Sequence, residues 1–267
     1  MGFVKTPEEI KTIQATLAEA EFLSAKLLAV QYLTKPDIVA HVLPPGLEPT
    51  DAPIATLLIG HWGRSNVCHS FSGACFYVQA RHGDYVGDYC LAMQMSSDAA
   101  IIFGRDTFGE PKKYGVTTLN RNGNKLVGKV TRYGKPIIET EAVMEGPVVD
   151  PPDGFTNFHY KFLPACDGNG LEWDPVLVMA SFKVFNAKVE AGTATLKLAN
   201  TALDPLGEIE IVEMLGASYT EGDTTARCTE LARVPAEEFM PYAYNKFDDY
   251  VVMNNVDETL GRPLRVA

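Results

Sequence analysis

The start of the chain has apolar residues at the spacing of one helical face. They are Ile10, Ile13, Leu17 and Ala20, with charged and polar residues between them. This periodicity predicts a helix over Pro7–Leu28. A shorter helix is predicted over Asp37–Val42, and another begins near Pro235 and carries several aromatic side chains.

Between these helices the apolar runs are short and are bounded by Gly, Asp and Ser, a pattern typical of strands. The predicted strands are Ile54–His61, Ala74–Arg81, Tyr85–Met95, Val116–Leu119, Lys125–Arg132, Pro136–Val143, His159–Leu163, Val176–Ala187, Ala194–Leu198 and Ile209–Leu215. Asn122-Gly123 predicts a hairpin turn, because both residues accept the positive φ angles that a two-residue turn requires.

The strands outnumber the helices and follow one another through short turns. This order favours an α+β fold with a mainly antiparallel sheet, closed or semi-closed into a barrel, and with the N-terminal and C-terminal helices packed outside it. No repeat or low-complexity tract interrupts the 267 residues. We therefore expect a single domain over residues 1–267.

The charge and the apolar runs restrict the partners of the protein. Its 34 acidic and 23 basic residues give a formal net charge of -11, which argues against nucleic acid or an anionic membrane as a partner. No apolar run reaches the ~18 residues that span a bilayer. The N-terminus lacks an apolar core of signal-peptide length, so we expect a cytoplasmic protein.

The sequence also lacks the common cofactor and metal motifs. None of the five cysteines forms a C-x-x-C pair, and the five histidines are scattered. No glycine-rich nucleotide motif and no G-x-S-x-G element is present. We therefore expect free thiols, no metal site and no cofactor.

The segment Gly104–Lys113 is the part of the chain that most suggests chemistry. It reads Gly-Arg-Asp-Thr-Phe-Gly-Glu-Pro-Lys-Lys and follows the apolar run Ala99–Phe103, which we expect to be a strand. A lysine amine is a nucleophile only when it is unprotonated, and the pKa of lysine in water is about 10.4. Burial and a neighbouring cation both favour the neutral amine. We expect burial of Lys112 to matter more than the charge of Lys113, because successive residues of an extended segment point to opposite faces.

The same segment resembles the active-site region of the acetoacetate decarboxylase-like superfamily, whose members carry Gly-Arg-Glu-x-x-Gly-x-Pro-Lys-Lys. Gly87-Asp88-Tyr89 and the block Tyr32–Glu48 also look like that family. The resemblance covers residues 30 to 145 well and the remainder loosely. It implies that Lys112 forms a Schiff base with a small keto-acid substrate, that Lys113 is its cationic neighbour, and that the protein is a homo-oligomer such as a tetramer.

The chain departs from the decarboxylases of that family in its other polar residues. Those enzymes surround the lysine with an N-terminal arginine and two glutamates, but here no arginine precedes Arg64 and no glutamate lies between Glu48 and Glu110. The two glutamate positions fall near Leu58 and Phe71. The resemblance therefore favours a Schiff-base lyase of the pyruvate aldolase-dehydratase or hydratase type, with a β-keto acid decarboxylase as the alternative.

Such a lyase needs a residue that transfers protons. Glu110 is the nearest acid in sequence, although it could instead pair with Arg105. Tyr242 matches a tyrosine that relatives of the aldolase-dehydratase type bring in, and its other predicted role is core packing. The candidates for contacting the substrate are Arg64, which could grip a carboxylate, together with His61, His69, Phe71, Leu58 and Arg105.

A different class of function is a non-catalytic barrel that holds a small apolar ligand. The missing polar residues suit this hypothesis, and Leu58 and Phe71 would then line the cavity. The Pro111-Lys112-Lys113 block argues against it, because such a binder has no need of that block.

Overall fold

A computed structural model of the protein describes residues 2–248 and the backbone of two short strands nearer the C-terminus. The helices are α1 (Pro7–Ala18), α2 (Pro36–Val42), α3 (Asp98–Phe103) and α4 (Ala236–Ala243), with one π-helical turn (Gly104–Phe108) and 3-10 turns at Leu206–Glu208 and Tyr244–Lys246. The strands are β1 (Ala20–Leu33), β2 (Glu48–Pro49), β3 (Ile54–Trp62), β4 (Arg64–Ser65), β5 (Phe71–His82), β6 (Tyr85–Met95), β7 (Lys112–Tyr114), β8 (Val116–Asn122), β9 (Lys125–Arg132), β10 (Lys135–Pro147), β11 (Gly154–Lys161), β12 (Val176–Leu198), β13 (Glu213–Arg233), β14 (Val256–Asp257) and β15 (Arg262–Pro263).

Seven of these strands close into a ring. Its order is β11, β6, β5, β3, β1, β13 and β12, and β12 pairs back with β11. Most pairs are antiparallel, but β6 pairs in parallel with β11 and with β7. The predicted mainly antiparallel fold with few helices is therefore confirmed. Strands β10, β9 and β8 continue from β12 beyond the ring.

The ring has a separate apolar core on each of its two faces. The inner core includes residues of six ring strands, together with side chains of α3 and the π-helical turn. The outer core lies between the ring and the β8–β10 extension, where Gly128 of β9 approaches Ile59 of β3 closely. Strands of the ring therefore bury side chains on both faces. A side chain that points into the ring lies among mostly apolar neighbours.

The N-terminal helix is shorter than predicted. A capping box fixes its start, since Thr6 Oγ1 accepts from the Glu9 backbone N–H at 3.2 Å and Glu9 accepts from the Thr6 N–H at 3.0 Å. The helix ends at Ala18, and none of its residues is fully buried. The predicted continuation to Leu28 is wrong, because β1 pairs with both β3 and β13 and alternates buried with exposed residues.

Of the other predictions of local structure, some are confirmed and some are wrong. The hairpin is confirmed, with Gly123 at φ +61° between β8 and β9. The strand predicted over Ala99–Phe103 is wrong, since this run forms α3 and packs into the inner core. The two strands predicted over Val176–Ala187 and Ala194–Leu198 form one strand, β12, whose register with β13 shifts at two points. Helix α4 buries Phe239 and Ala243 against the outer core. Among the described residues, no helix is long and apolar enough to cross a membrane.

Candidate active site

The segment Gly104–Lys113 forms a compact π-helical turn followed by a short strand. Gly109 ends the turn at φ +75°, where its missing side chain lets it approach the backbone of Lys161 in β11. Lys112 then starts β7 and pairs with Met93 of β6. Because Met93 belongs to the inner core, its register partner Lys112 also points into the ring.

Inside the ring, Lys112 forms a buried ion pair with Glu110. The Lys112 Nζ lies 2.7 Å from Glu110 Oε2, and the two residues are 4% and 6% exposed. Apart from this contact, Glu110 Oε2 has no hydrogen-bond partner among the described residues. The sequence predicted Glu110 either as a proton shuttle or as a partner of Arg105, and the structure places its carboxylate directly against the amine.

The surroundings of this pair are apolar or electrically neutral. Phe71 is buried, and the centroid of its ring lies 5.9 Å from Lys112 Nζ. Burial raises the pKa of Cys75 to about 12 and raises those of Cys68 and Cys90, so these neighbouring thiols stay neutral at pH 7. In a region of low dielectric, the Glu110–Lys112 interaction is screened much less than an exposed pair would be.

Gly104 has no side chain, and the ion pair occupies the space that a side chain at this position would fill. An added Cβ would lie 2.0 Å from Glu110 Oε2 and 2.5 Å from Lys112 Nζ, far inside contact distance. We therefore expect Gly104→Ala to displace both side chains, to lower kcat/KM by about 100-fold or more and to cost about 1–3 kcal/mol of stability. The measurements are steady-state kinetics and thermal unfolding.

The matched control is Gly146→Ala, because a Cβ at Gly146 meets no atom within 4 Å. It should leave kcat/KM unchanged. A Gly104→Ala variant with wild-type kinetics would show that the pair tolerates displacement and does not need the geometry described here.

Lys113 points away from this pair into a second polar cluster. Its Nζ donates to the Leu203 carbonyl at 3.0 Å and lies 3.9 Å from Asp204 and 3.5 Å from Asp248. Arg132 completes the cluster with a 2.9 Å contact to Asp204. Burial lowers the pKa of Lys113, with the two carboxylates acting in the opposite direction. The charged group in contact with Lys112 is therefore Glu110, and Lys113 anchors the outer side of β7.

Arg105 ties the site to the C-terminal turn. Its guanidinium donates to the Lys112 carbonyl at 3.1 Å and to the Lys246 carbonyl at 2.7 Å. Lys246 is itself 2% exposed and donates to the Phe162 carbonyl at 3.0 Å. The predicted substrate-binding residue Arg105 is thus placed where it holds the backbone of Lys112.

The burial of Lys246 has a measurable consequence for stability. Burial lowers its pKa to about 7, with Arg105 adding to the effect, whereas an unfolded lysine titrates near 10.4. Between these values the unfolded state binds more protons, so stability rises with pH by up to ~1.4 kcal/mol per unit. We therefore expect the free energy of unfolding of wild type, measured in urea, to rise relative to that of Lys246→Met by up to this slope between pH ~7 and ~10.

The control is Lys129→Met, which removes a half-exposed lysine paired with Glu139 at the surface. Its stability should run parallel to that of wild type over the same pH range. A constant difference between wild type and Lys246→Met would contradict the lowered pKa of Lys246.

A polar group on β11 was not predicted from the sequence. His159 is 1% exposed, and neither of its ring nitrogens has a hydrogen-bond partner among the described residues. Burial lowers its pKa to about 4, and Glu110 and Lys112 are the charged groups that act on it. Two residues earlier, Asn157 donates to the Tyr77 hydroxyl at 3.3 Å. Polar residues at alternate positions of an apolar strand were the signal that could have identified this group.

A surface cleft of about 410 Å³ opens beside β11 and β12. Its lining includes Thr107 of the π-helical turn, Lys161, Trp173, Val178 and Cys228, but not Lys112. Val178 is the register partner of His159, and Lys161 follows His159 by two residues. The cleft therefore faces the side of the sheet to which His159 points. Cys228 lines the cleft and also packs against the inner core, so the floor of the cleft adjoins the ring interior.

The remaining predicted site residues lie in three settings: against the inner core, at the surface and against the outer core. Leu58 is partly buried against the inner core, as is consistent with a lining role. Arg64, His61 and His69 are exposed, and His61 Nδ1 lies 3.2 Å from Ser72 Oγ. Tyr242 packs against the outer core, with its ring centroid 6.2 Å from that of Phe239. Among the described residues, no group of three or more His, Cys, Asp or Glu side chains could hold a metal ion.

Comparisons with known proteins identify the family and the fold of the chain. Residues 6–235 match the family model of acetoacetate decarboxylase. The acetoacetate decarboxylase of Burkholderia cenocepacia is 25% identical over 220 residues, which cover 76% of this chain and 84% of that protein. The crystal structure of acetoacetate decarboxylase from Legionella pneumophila has a TM-score of 0.71 and 20% identity, covering 80% of this chain and 87% of the other.

A further solved structure is the enduracididine biosynthesis enzyme MppR complexed with pyruvate. Its TM-score is 0.64 with 18% identity, and the match covers 80% of this chain and 90% of MppR. The two structural matches share the fold of this chain, and the family match spans the ring, the π-helical turn and Lys112. The chain therefore belongs to the acetoacetate decarboxylase family of enzymes.

Proposed function

We propose that the protein is a lyase in which Lys112 forms a Schiff base with a small 2-oxo acid, of the aldolase-dehydratase or hydratase type. The observation that carries this proposal is the contact of 2.7 Å between Lys112 Nζ and Glu110 Oε2 inside the ring. A buried amine supplies the nucleophile, and a carboxylate oxygen with no other hydrogen bond to the described residues supplies a base beside it. Pyruvate, the ligand named for MppR, is the simplest substrate of this class.

The first step joins the amine to the substrate carbonyl. The carbonyl oxygen leaves as water, and two amine hydrogens leave with it, so the product is an iminium that keeps one positive charge. Glu110 is already in place to pair with that charge, since its oxygen lies within hydrogen-bond distance of Nζ. The pair therefore favours the covalent intermediate over the same intermediate in water.

The next step removes a proton from the carbon beside the iminium. This carbon lies two bonds from the nitrogen, so the Glu110 carboxylate that contacts Nζ can also reach its proton. The C–H electron pair forms a C=C bond and neutralises the iminium, which gives an enamine. The enamine carbon then attacks an aldehyde, and the resulting alkoxide takes the proton back from Glu110.

Loss of water completes the reaction. Glu110 removes a second proton from the same carbon, the hydroxyl group leaves with a proton returned by Glu110, and a C=C bond forms. Hydrolysis of the iminium releases an unsaturated 2-oxo acid and restores the lysine. The hydratase reaction is this dehydration in reverse: water adds to the C=C bond, and the carbon beside the iminium takes up a proton from Glu110.

Decarboxylation of a β-keto acid is the second candidate. The curated relatives carry that name at 25% identity, and the neutral, apolar surroundings of Lys112 would favour loss of a substrate carboxylate as carbon dioxide. The lyase reaction gives Glu110 a defined use, because its enamine forms when a base removes a proton from carbon, whereas loss of carbon dioxide forms the enamine without that proton transfer. A non-catalytic binder leaves the buried ion pair unexplained, because burying two charges carries a desolvation cost.

Two assays distinguish these candidates. In D₂O the enzyme should exchange the methyl protons of pyruvate for deuterium, which NMR measures. With pyruvate and benzaldehyde together, it should give an unsaturated product. With the enzyme present, acetoacetate should release carbon dioxide no faster than it does in buffer alone. Rapid release of carbon dioxide without any condensation product would support the decarboxylase, and no reaction with any keto acid would support the binder.

A further inference from the structure

On the inner face of the ring, His159 is a buried polar side chain that makes no hydrogen bond to the described residues. It is 1% exposed, and neither ring nitrogen meets a hydrogen-bonding group of the described residues. A buried polar group without a partner costs about 1–3 kcal/mol. A ligand that enters the ring interior would supply the missing partner.

The position of His159 connects the ion pair with the cleft. Strands β11 and β7 both pair with β6. His159 lies on the same face of β11 as Asn157, which contacts Tyr77 in the inner core, so the imidazole points into the ring interior that also holds the ion pair. On β11, its register partner Val178 and its same-face neighbour Lys161 line the cleft of about 410 Å³. A molecule that enters from the cleft towards Lys112 would therefore pass the imidazole.

The charge state of His159 defines what it can bind. Burial lowers its pKa to about 4, so at pH 7 the ring is neutral. A neutral imidazole has one N–H donor and one acceptor nitrogen. It can therefore donate to a carbonyl oxygen that gains negative charge, without placing a second cation beside Lys112.

We propose that His159 binds the aldehyde substrate, by donating a hydrogen bond to the oxygen that becomes the hydroxyl group of the condensation product. This inference rests on the proposed Schiff-base lyase, and it assigns the second substrate to the cleft side of the site. The donor stabilises the alkoxide as the C–C bond forms, and it orients the hydroxyl group for its departure as water. The protons themselves move through Glu110, as described above, so His159 changes no net charge.

The test compares His159→Leu with His159→Gln in the full-length protein. With pyruvate alone, His159→Leu should form the imine and exchange methyl protons at the wild-type rate, because these steps do not involve the aldehyde. With pyruvate and benzaldehyde, kcat/KM should fall by roughly 10²–10³-fold. His159→Gln retains a donor and should recover part of that loss. The control is His41→Leu, which changes an exposed histidine of α2 and should leave both reactions unchanged.

Stability provides an independent readout. Leucine removes an unpartnered buried polar group, so the melting temperature of His159→Leu should equal or exceed that of wild type. A lower melting temperature would overturn the proposal by showing that the imidazole has a structural role. Full condensation activity in His159→Leu would also overturn it. If wild type itself forms no imine with pyruvate, the proposed lyase function fails instead, and the two failures are thereby distinguished.

Discussion

Lys112→Met should reduce turnover to the uncatalysed rate, a loss of roughly a million-fold or more. Methionine fills the same space but has no amine, so no covalent intermediate can form. It also leaves the Glu110 carboxylate buried without its partner at 2.7 Å. Breaking a buried pair in this way costs about 3–5 kcal/mol. Turnover of pyruvate with benzaldehyde and urea unfolding measure the two effects.

Two controls separate the loss of chemistry from the loss of stability. In Lys112→Met combined with Glu110→Gln, both charges are gone, so stability should return towards that of wild type while activity stays absent. Lys129→Met removes a half-exposed ion pair with Glu139. It should retain full activity and change stability by less than about 1 kcal/mol. Residual turnover in the stable double variant would show that the reaction does not need the amine.

Glu110→Gln should separate imine formation from proton transfer. Glutamine has nearly the same shape but cannot accept the proton from the carbon beside the iminium. We expect exchange of the pyruvate methyl protons in D₂O to slow by about 10²–10⁴-fold, the usual contribution of a positioned general base. Reductive trapping of the imine on Lys112 should persist, because the amine is still present.

The surface residue Glu139 provides the matched control for this substitution. Glu139→Gln makes the same chemical change at a side chain that is about half exposed, and it should exchange pyruvate protons at the wild-type rate. If Glu110→Gln exchanged them within about threefold of wild type, another group would be the base, and the proposed role of Glu110 would be wrong.

Local sequence predicted those parts of the fold that depend on local rules. The start of α1 at Pro7 was predicted and is held by a local capping box, and the β8–β9 hairpin followed from Asn122-Gly123. The end of α1 did not follow, because β1 is held by pairing with β3 and β13, which lie far away in the chain. Residues 99–103 form a helix for a related reason, since Ala100 and Phe103 are buried in the inner core.

The site divides in the same way. The Pro111-Lys112-Lys113 block identified the buried lysine, and its proximity in sequence identified Glu110 as a candidate acid. The position of His159 depends on the pairing of β11 with β12 and, in parallel, with β6. Gly104 and Lys112 are likewise brought together by the π-helical turn, which no periodicity of the sequence indicated. Residues that reach the site only through long-range pairing could not be predicted from the motif.

The proposed function depends on a covalent bond between the amine of Lys112 and a keto acid. The most direct measurement is treatment of the protein with pyruvate and borohydride, followed by peptide mass spectrometry. The proposed function predicts one reduced pyruvate adduct, located on Lys112 and absent from Lys112→Met. An unmodified Lys112 after saturation with pyruvate, acetoacetate and other small keto acids, or an adduct confined to another lysine such as Lys246, would contradict it.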